Sequence, residues 1–129
     1  DEFLSQLSLL AGQDAVDAQK KQQDEDIVCL SSVHQAKGLE YKVVFLIWLA
    51  DGMFPSKKVI ENDPDGSGLE EERRLFYVAV TRAKDELYLL YPIVWQGSFS
   101  GEAVQHPSRF LEELPADVTE EWNVGSSAW

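Results

Sequence analysis

The residues best suited to chemistry in this sequence begin with a polar turn, SVHQAKGLE, from Ser32 to Glu40. The turn combines a hydroxyl, an imidazole, an amine and a carboxylate within nine positions. Gly38 permits a positive φ and a close backbone approach, and the N–H groups of such a turn can face an anion. The alternative interpretation is an ordinary polar loop that turns at a glycine.

A second candidate is Arg82, which lies where a predicted helix meets a predicted strand within residues 69–91. Apolar residues recur there at helical spacing, and three glutamates open the helix, where the macrodipole favours carboxylates. Arg82 projects from the edge of the apolar side, so its guanidinium must reach water, pair with a carboxylate or bind a phosphate. The plainer interpretation is a cation that complements the helix C-terminus.

The elements that must position these groups are predicted in the order strand, turn, strand, helix, strand, which indicates an α/β layer architecture. The strands are expected at residues 27–33, 43–49 and 86–91. Strands that are apolar on both faces are typical of a parallel sheet covered by helices, and ligands usually bind at the carboxyl ends of such strands. Three strands make a thin sheet, so we expect further strands from residues outside this sequence.

The remaining segments are predicted to be connections and short helices. Residues 1–11 are expected to form an amphipathic helix, 13–26 a polar linker, 51–68 and 92–105 loops, 107–114 a short helix that starts at Pro107, and the residues after 115 a loose tail. The predicted division is therefore 1–26, 27–115 and 116–129. The side chains expected to be buried are Cys29, Phe45, Trp48, Phe76 and Tyr88, and Trp122 and Trp129 are candidates for packing on the surface.

Composition narrows the possible functions. The chain has 129 residues, a net charge of −12 and a pI near 4.4, whereas a freestanding nucleic-acid binder usually carries a basic patch. Any DNA contact must therefore be local, or must use positive charge from another domain. The single cysteine excludes an intrachain disulfide, and no apolar run approaches about 18 residues, so we expect a soluble cytoplasmic protein without membrane contact. The absence of an initial methionine suggests a fragment of a longer protein.

Catalytic and metal-binding motifs are largely missing from the sequence. There is no Gly-x-x-x-x-Gly-Lys-Ser/Thr loop to hold phosphates, so this chain alone is not expected to hydrolyse ATP. Residues 61–72 approach the EF-hand pattern, but Glu61 stands at its first position and Pro64 stiffens it. His106 has no partner at ligand spacing, and we expect no metal site.

Four blocks resemble superfamily 1 DNA helicases of the UvrD/PcrA/Rep type: SSVHQAKGLEYKVVFL, DGMFPS, LEEERRLFYVAVTRAKDELYL and HPSRFLEELP. They are similar to motif V, the loop after the next strand, motif VI and the closing helix of the second RecA-like domain. The resemblance implies a partial RecA-like (P-loop NTPase-like) parallel sheet flanked by helices. It further implies an ATP-dependent 3′–5′ DNA helicase that binds ATP with Mg²⁺ between two RecA-like domains and acts on single-stranded and duplex DNA, with DNA repair as the family's usual role.

The resemblance also implies roles for individual residues. Arg82 matches the catalytic motif VI arginine that contacts the γ-phosphate, and Gly38 and Glu40 match motif V positions near the nucleotide. The positions implied for DNA contact are Ser32, His34 and Lys37. The family usually has threonine at Ser32, and motifs I to IV with the first RecA-like domain are missing, including the Mg²⁺ ligands.

Two interpretations follow from this comparison of motifs. The first is the C-terminal part of a helicase motor, inactive in isolation, whose partners are DNA and the first RecA-like domain of the same polypeptide. The second is a freestanding, non-catalytic interaction module derived from a helicase domain, which the acidic composition would suit. An upstream reading frame that contains a phosphate-binding loop would favour the first.

Overall fold

The computed structural model describes residues 26–96 and 102–125. In chain order the elements are α1 (Val33–Ala36), β1 (Tyr41–Leu46), α2 (Lys57–Glu61), α3 (Ser67–Val80), β2 (Ala83–Leu89), β3 (Val94–Gln96), β4 (Glu102–Val104) and α4 (Arg109–Glu112). Strands β1 and β2 pair in parallel, and α2 and α3 lie in the connection between them. Strands β3 and β4 form a separate antiparallel hairpin. This arrangement confirms the α/β class, a partial RecA-like sheet with helices.

The start of helix α3 is fixed by residues that precede it in the chain. Gly66 adopts a left-handed conformation with φ 75° immediately before the helix. The Asp63 carboxylate accepts hydrogen bonds from the backbone N–H groups of Gly68 at 3.1 Å and Leu69 at 2.9 Å. These two donors have no partner within a helix, so Asp63 replaces the missing acceptors and fixes where α3 begins.

The hydrophobic core lies between α3, α4 and the loop that follows β1. Its fully buried side chains are Leu49, Phe76 and Phe110. Phe110 stacks on Phe76 with 5.5 Å between ring centroids and meets Phe54 edge-on at 5.6 Å. Both geometries are favourable for aromatic pairs, so a cluster of aromatic rings holds α3 against α4.

The loop after β1 is joined to distant elements by polar side chains. Asp51 accepts from the Arg109 backbone N–H at 3.0 Å and from its guanidinium Nη2 at 3.1 Å. The Ser56 N–H and hydroxyl each donate to the Glu72 carboxylate at 2.7 Å. Residues 51–68 were predicted to be loop throughout, and that prediction is wrong for the short helix α2.

The predicted strand at residues 27–33 is wrong. Residues 27–32 have no regular structure, and Val28 and Leu30 are 91% and 94% exposed. Cys29 is also exposed, against the prediction of a buried thiol. A strand needs a neighbouring strand to accept and donate its backbone hydrogen bonds, and the described residues offer this segment none, so the sheet has two strands instead of three.

The aromatic side chains predicted to be core divide between the two faces of the sheet. Phe76 is buried, whereas Phe45 is 61% and Trp48 43% exposed. Phe45 stacks on the half-buried Tyr88 at 4.7 Å, on the face away from α3. The predictions for Phe45 and Trp48 are wrong. One face of this two-stranded sheet, which carries Phe45, has no covering helix among the described residues, and Trp48 lies beyond the end of β1.

Several predicted boundaries shift. Strand β1 spans Tyr41–Leu46 instead of the predicted 43–49. Trp48, whose φ is 64°, lies beyond its end. Residues 92–105, predicted to be loop, contain β3 and β4. Helix α4 begins at Arg109 because the Ser108 hydroxyl accepts from the Phe110 N–H, so the predicted start at Pro107 is wrong.

Three sequence predictions concern the ends of the chain. The amphipathic helix, nearly all of the polar linker, and Trp129 lie outside the described residues. Trp122 is 66% exposed, and its ring meets the Tyr88 ring edge-on at 6.2 Å. No helix in the described parts of the chain is long and apolar enough to cross a membrane.

Candidate functional site

The turn before β1 starts with a reciprocal helix cap. The Gln35 N–H donates to the Ser32 hydroxyl at 3.2 Å, and the Ser32 N–H donates to the Gln35 side-chain oxygen at 3.4 Å. This is the Ser-x-x-Gln capping box, a signal in the sequence that could have predicted α1. Ser32 therefore starts α1, and the nearby His34 is exposed on that helix.

The second half of the turn buries one side chain and exposes its neighbours. Leu39 is only 3% exposed and its N–H donates to the Ala36 carbonyl at 3.0 Å. Gly38 has a φ of 84°, a conformation that other residues adopt at a cost. The chain reverses at this glycine, so that Lys37 and Glu40 face solvent on either side of the buried leucine.

Arg82 lies between α3 and β2, as the sequence predicted, and its side chain is partly buried. Nε donates to the Val78 carbonyl at 3.0 Å, Nη1 to the Leu39 carbonyl at 3.1 Å, and Nη2 to the Thr81 hydroxyl at 3.2 Å. The Nε bond caps a C-terminal carbonyl of α3, as the plainer interpretation expects. The Nη1 bond reaches a carbonyl of the 32–40 turn, however, and capping of α3 does not explain that contact.

The backbone of Arg82 makes a second connection to the same region. Its carbonyl accepts from the Tyr41 N–H at 2.8 Å, at the start of β1. Arg82 therefore holds residues on both sides of Glu40, Leu39 through its guanidinium and Tyr41 through its backbone. The structure brings Gly38, Glu40 and Arg82 into one neighbourhood although 41 positions separate Arg82 from Tyr41 along the chain.

Arg82 differs from the other arginines in its partners. The sequence has four arginines, and the other three each pair with a carboxylate: Arg73 with Glu70 and Glu113, Arg74 with Glu71, and Arg109 with Asp51. Among the described residues Arg82 has only uncharged acceptors. Over residues 26–96 and 102–125, no acidic side chain pairs with this guanidinium.

The remaining hydrogen-bonding capacity of Arg82 is specific. A guanidinium carries five N–H donors in a rigid plane. The three bonds use one donor on each nitrogen, which leaves one N–H on Nη1 and one on Nη2. Two donors on adjacent nitrogens suit an anion with two oxygens, such as a phosphate, so the geometry fits a phosphate contact.

Acidic side chains of residues 61–72 accept hydrogen bonds from other groups of this chain. Asp63 caps α3 and Glu72 binds Ser56. Asp65 accepts from the Ser67 hydroxyl at 2.7 Å, and this hydrogen bond lowers the pKa of the Asp65 carboxyl. Over residues 26–96 and 102–125, the structure places no three His, Cys, Asp or Glu side chains together as metal ligands, so these residues do not fit a Mg²⁺ site.

Sequence reasoning missed two of the groups that hold Arg82. Thr81 precedes Arg82 directly and belongs to the same VAVTRA block, so its position was visible in the sequence. The Leu39 carbonyl lies 43 residues away, and a backbone acceptor leaves no trace in residue types. Only the folded chain reveals that contact.

Comparison with known proteins identifies the family of this chain. The profile of the family described as "UvrD-like helicase C-terminal domain" matches residues 1–92. The chain is 42% identical over 119 residues to DNA helicase II of Escherichia coli and 38% identical over 122 residues to ATP-dependent DNA helicase PcrA of Bacillus subtilis. These alignments cover 92% and 94% of this chain but only 15% and 16% of the relatives. This chain belongs to the UvrD-like helicase C-terminal domain family.

Proposed function

We propose that this chain is the part of an ATP-dependent 3′–5′ DNA helicase motor that supplies an arginine to the γ-phosphate of ATP. The observation that carries the proposal is the state of Arg82. Its guanidinium is partly buried, fixed by three uncharged acceptors and unpaired with any carboxylate of the described residues. A cation held in this way can accept an anion that the described residues do not supply, and the relatives named as ATP-dependent helicases suggest the candidate.

The chemistry of phosphoryl transfer suits such a group. Bound ATP supplies the phosphoryl group that is transferred to water. Arg82 would place its two remaining N–H donors against the phosphate oxygens, where negative charge grows in the transition state. Because arginine stays protonated and its plane is fixed before binding, this stabilisation requires no reorientation at the moment of reaction.

The 32–40 turn provides the other groups of the proposed site. Gly38 would let the backbone approach the nucleotide, and the exposed Glu40 carboxylate would accept from a sugar hydroxyl. Ser32, His34 and Lys37 are proposed to lie against the phosphodiester backbone of single-stranded DNA. Contacts of this kind position a strand without reading its sequence.

The proposed ATP site needs groups from a second domain. The sequence contains no phosphate-binding loop, and the described residues offer no set of metal ligands. We propose that the first RecA-like domain of the same polypeptide supplies both. The 129-residue chain alone is then expected to show no stoichiometric ATP hydrolysis, and a robust rate from the purified chain would contradict this.

Arg82→Ala in the longer polypeptide tests the proposal. We expect kcat for ATP to fall by about 10³-fold or more, the usual loss when an arginine at the transferred phosphate is removed. Arg74→Ala is the matched control, because Arg74 is an exposed arginine in the middle of α3 that pairs with Glu71. Near-normal turnover in Arg82→Ala, with a folded protein by circular dichroism, would return Arg82 to a helix-capping role. It would also favour the non-catalytic interaction module.

A further inference from the structure

Among the described residues, Thr81 is the one side chain that binds the Arg82 guanidinium. The other two acceptors, the carbonyls of Val78 and Leu39, belong to the backbone. Backbone acceptors are present whatever residue stands at those positions. The residue type at position 81 therefore determines whether Nη2 has a side-chain acceptor among the described residues.

The Thr81 hydroxyl is itself held in place. Its oxygen lies 2.9 Å from the Tyr77 carbonyl and 3.0 Å from the Val78 carbonyl, so its single hydrogen donates to the end of α3. The lone pairs then point away from the helix and accept from Arg82 Nη2 at 3.2 Å. A hydroxyl that donates on one side and accepts on the other connects the last turn of α3 to the guanidinium.

We propose that Thr81 is a positioning residue for Arg82, and that its hydroxyl fixes the orientation of the guanidinium and slows rotation of its Nη2 group. Val78 fixes Nε, and Leu39 and Thr81 fix the two terminal nitrogens, so the plane has no remaining freedom. The two unused N–H groups, one on Nη1 and one on Nη2, are then held in fixed directions. The orientation is a property of this chain, whereas its use toward a phosphate rests on the function proposed above.

The geometric claim is testable on the 129-residue chain without ATP. Only four arginines are present, so their side-chain N–H groups can be resolved by ¹⁵N NMR spectroscopy. We expect the Nη2 group of Arg82 to rotate slowly in the unsubstituted protein. Thr81→Val should speed that rotation by about tenfold or more, the factor that corresponds to loss of one hydrogen bond to a charged group. Thr81→Ser, which keeps the hydroxyl, should leave it slow.

Arg109 serves as the internal control for folding. Its guanidinium binds Asp51, so its signals should be unchanged in both variants. If valine disturbs them, Thr81→Ala removes the hydroxyl without a branched side chain and supplies the same comparison with serine. Unchanged Nη2 rotation in a folded valine or alanine variant overturns the proposal, as does equal acceleration in the serine variant. A role limited to ending α3 would lower thermal stability without altering Arg82.

A kinetic experiment in the longer polypeptide separates this inference from the proposed function. Thr81→Val should lower kcat for ATP by about tenfold to a hundredfold with little change in KM, since misplacing a catalytic group costs rates of that order. The same substitution should have no further effect in an Arg82→Ala background. An additional loss of turnover in that background contradicts positioning. If Arg82→Ala alone leaves turnover intact, the proposed function fails, while the NMR result still decides the geometry.

Discussion

Strand β1 has a polar turn before it, residues 32–40, and a mainly apolar loop after it, residues 47–56, and the two differ in where their polar groups bind. In the 47–56 loop, Asp51 and Ser56 bind Arg109 and Glu72 in distant elements. In the 32–40 turn, the side chains of His34, Lys37 and Glu40 face solvent, and Arg82 reaches the turn through a backbone carbonyl.

This difference indicates that the 47–56 loop serves mainly stability, whereas the 32–40 turn is available for binding. The 47–56 loop lies on the aromatic core and uses its polar groups to join β1 to α3 and α4, so its substitution should destabilise the protein. The 32–40 turn keeps its polar side chains available and contributes Leu39 to the buried interior. Its substitution should change binding much more than stability. Residue types mark the 47–56 loop as mainly apolar, but they do not show which distant partners its Asp51 and Ser56 bind.

The largest expected effect concerns the aromatic core beneath the 47–56 loop. Phe110→Ala should lower the free energy of unfolding by about 3–5 kcal/mol, because it leaves a cavity against Phe76 and Phe54. Urea denaturation followed by circular dichroism measures the change. Phe45→Ala is the matched control, since Phe45 is 61% exposed, and it should cost far less. Equal losses would show that the sheet face carrying Phe45 is buried in solution.

A smaller effect is expected for the ion pair that joins the 47–56 loop to α4. Asp51→Ala should lower the free energy of unfolding by about 1–2 kcal/mol, because the Arg109 backbone N–H and guanidinium lose their acceptor. Glu40→Ala removes a carboxylate from the 32–40 turn and should leave the unfolding midpoint unchanged. A destabilising Glu40→Ala would remove the distinction between the two regions.

The smallest expected effect is a pH dependence of stability, which arises from the ion pair between Arg73 on α3 and Glu113 at the end of α4. Hydrogen bonding to Arg73 lowers the pKa of the Glu113 carboxyl, so the folded state holds this group ionised more strongly than the unfolded state does. The resulting stability is present above the unfolded pKa of about 4.3 and is lost as pH falls through the lower folded pKa. Glu113→Gln should therefore cost about 0.5 kcal/mol at pH 7. The difference should vanish at low pH, and thermal melts of both proteins across pH 2–7 measure it.

Local signals predicted the helix and the strand around Arg82 because they depend on neighbouring residues. The opening glutamates and the helical spacing of apolar side chains specify α3, and the β2 segment follows directly. The strand expected at residues 27–33 failed for the opposite reason. A strand forms only beside another strand, and apolar β-branched residues do not reveal whether one is present.

The members of the proposed site were selected from the sequence, whereas the contacts between them were not predicted. Arg82, Gly38 and Glu40 were each selected from sequence blocks, and the structure brings their segments together. The bond from Arg82 to the Leu39 carbonyl and the pair between Asp51 and Arg109 join residues 43 and 58 positions apart. Contacts of this range arise from the packing of α3 against β1 and α4, which residue types do not encode position by position.

The exposed face of the two-stranded sheet has a consequence for the colloidal behaviour of the protein. Val43, Phe45 and Ile47 present adjacent apolar surface, with 43%, 61% and 55% of each residue exposed. At pH 7 the net charge of −12 makes copies repel each other. Near the pI of about 4.4 that repulsion disappears while the apolar surface remains. Light scattering should therefore find the strongest self-association in mildly acidic buffer, and added salt should extend it toward neutral pH.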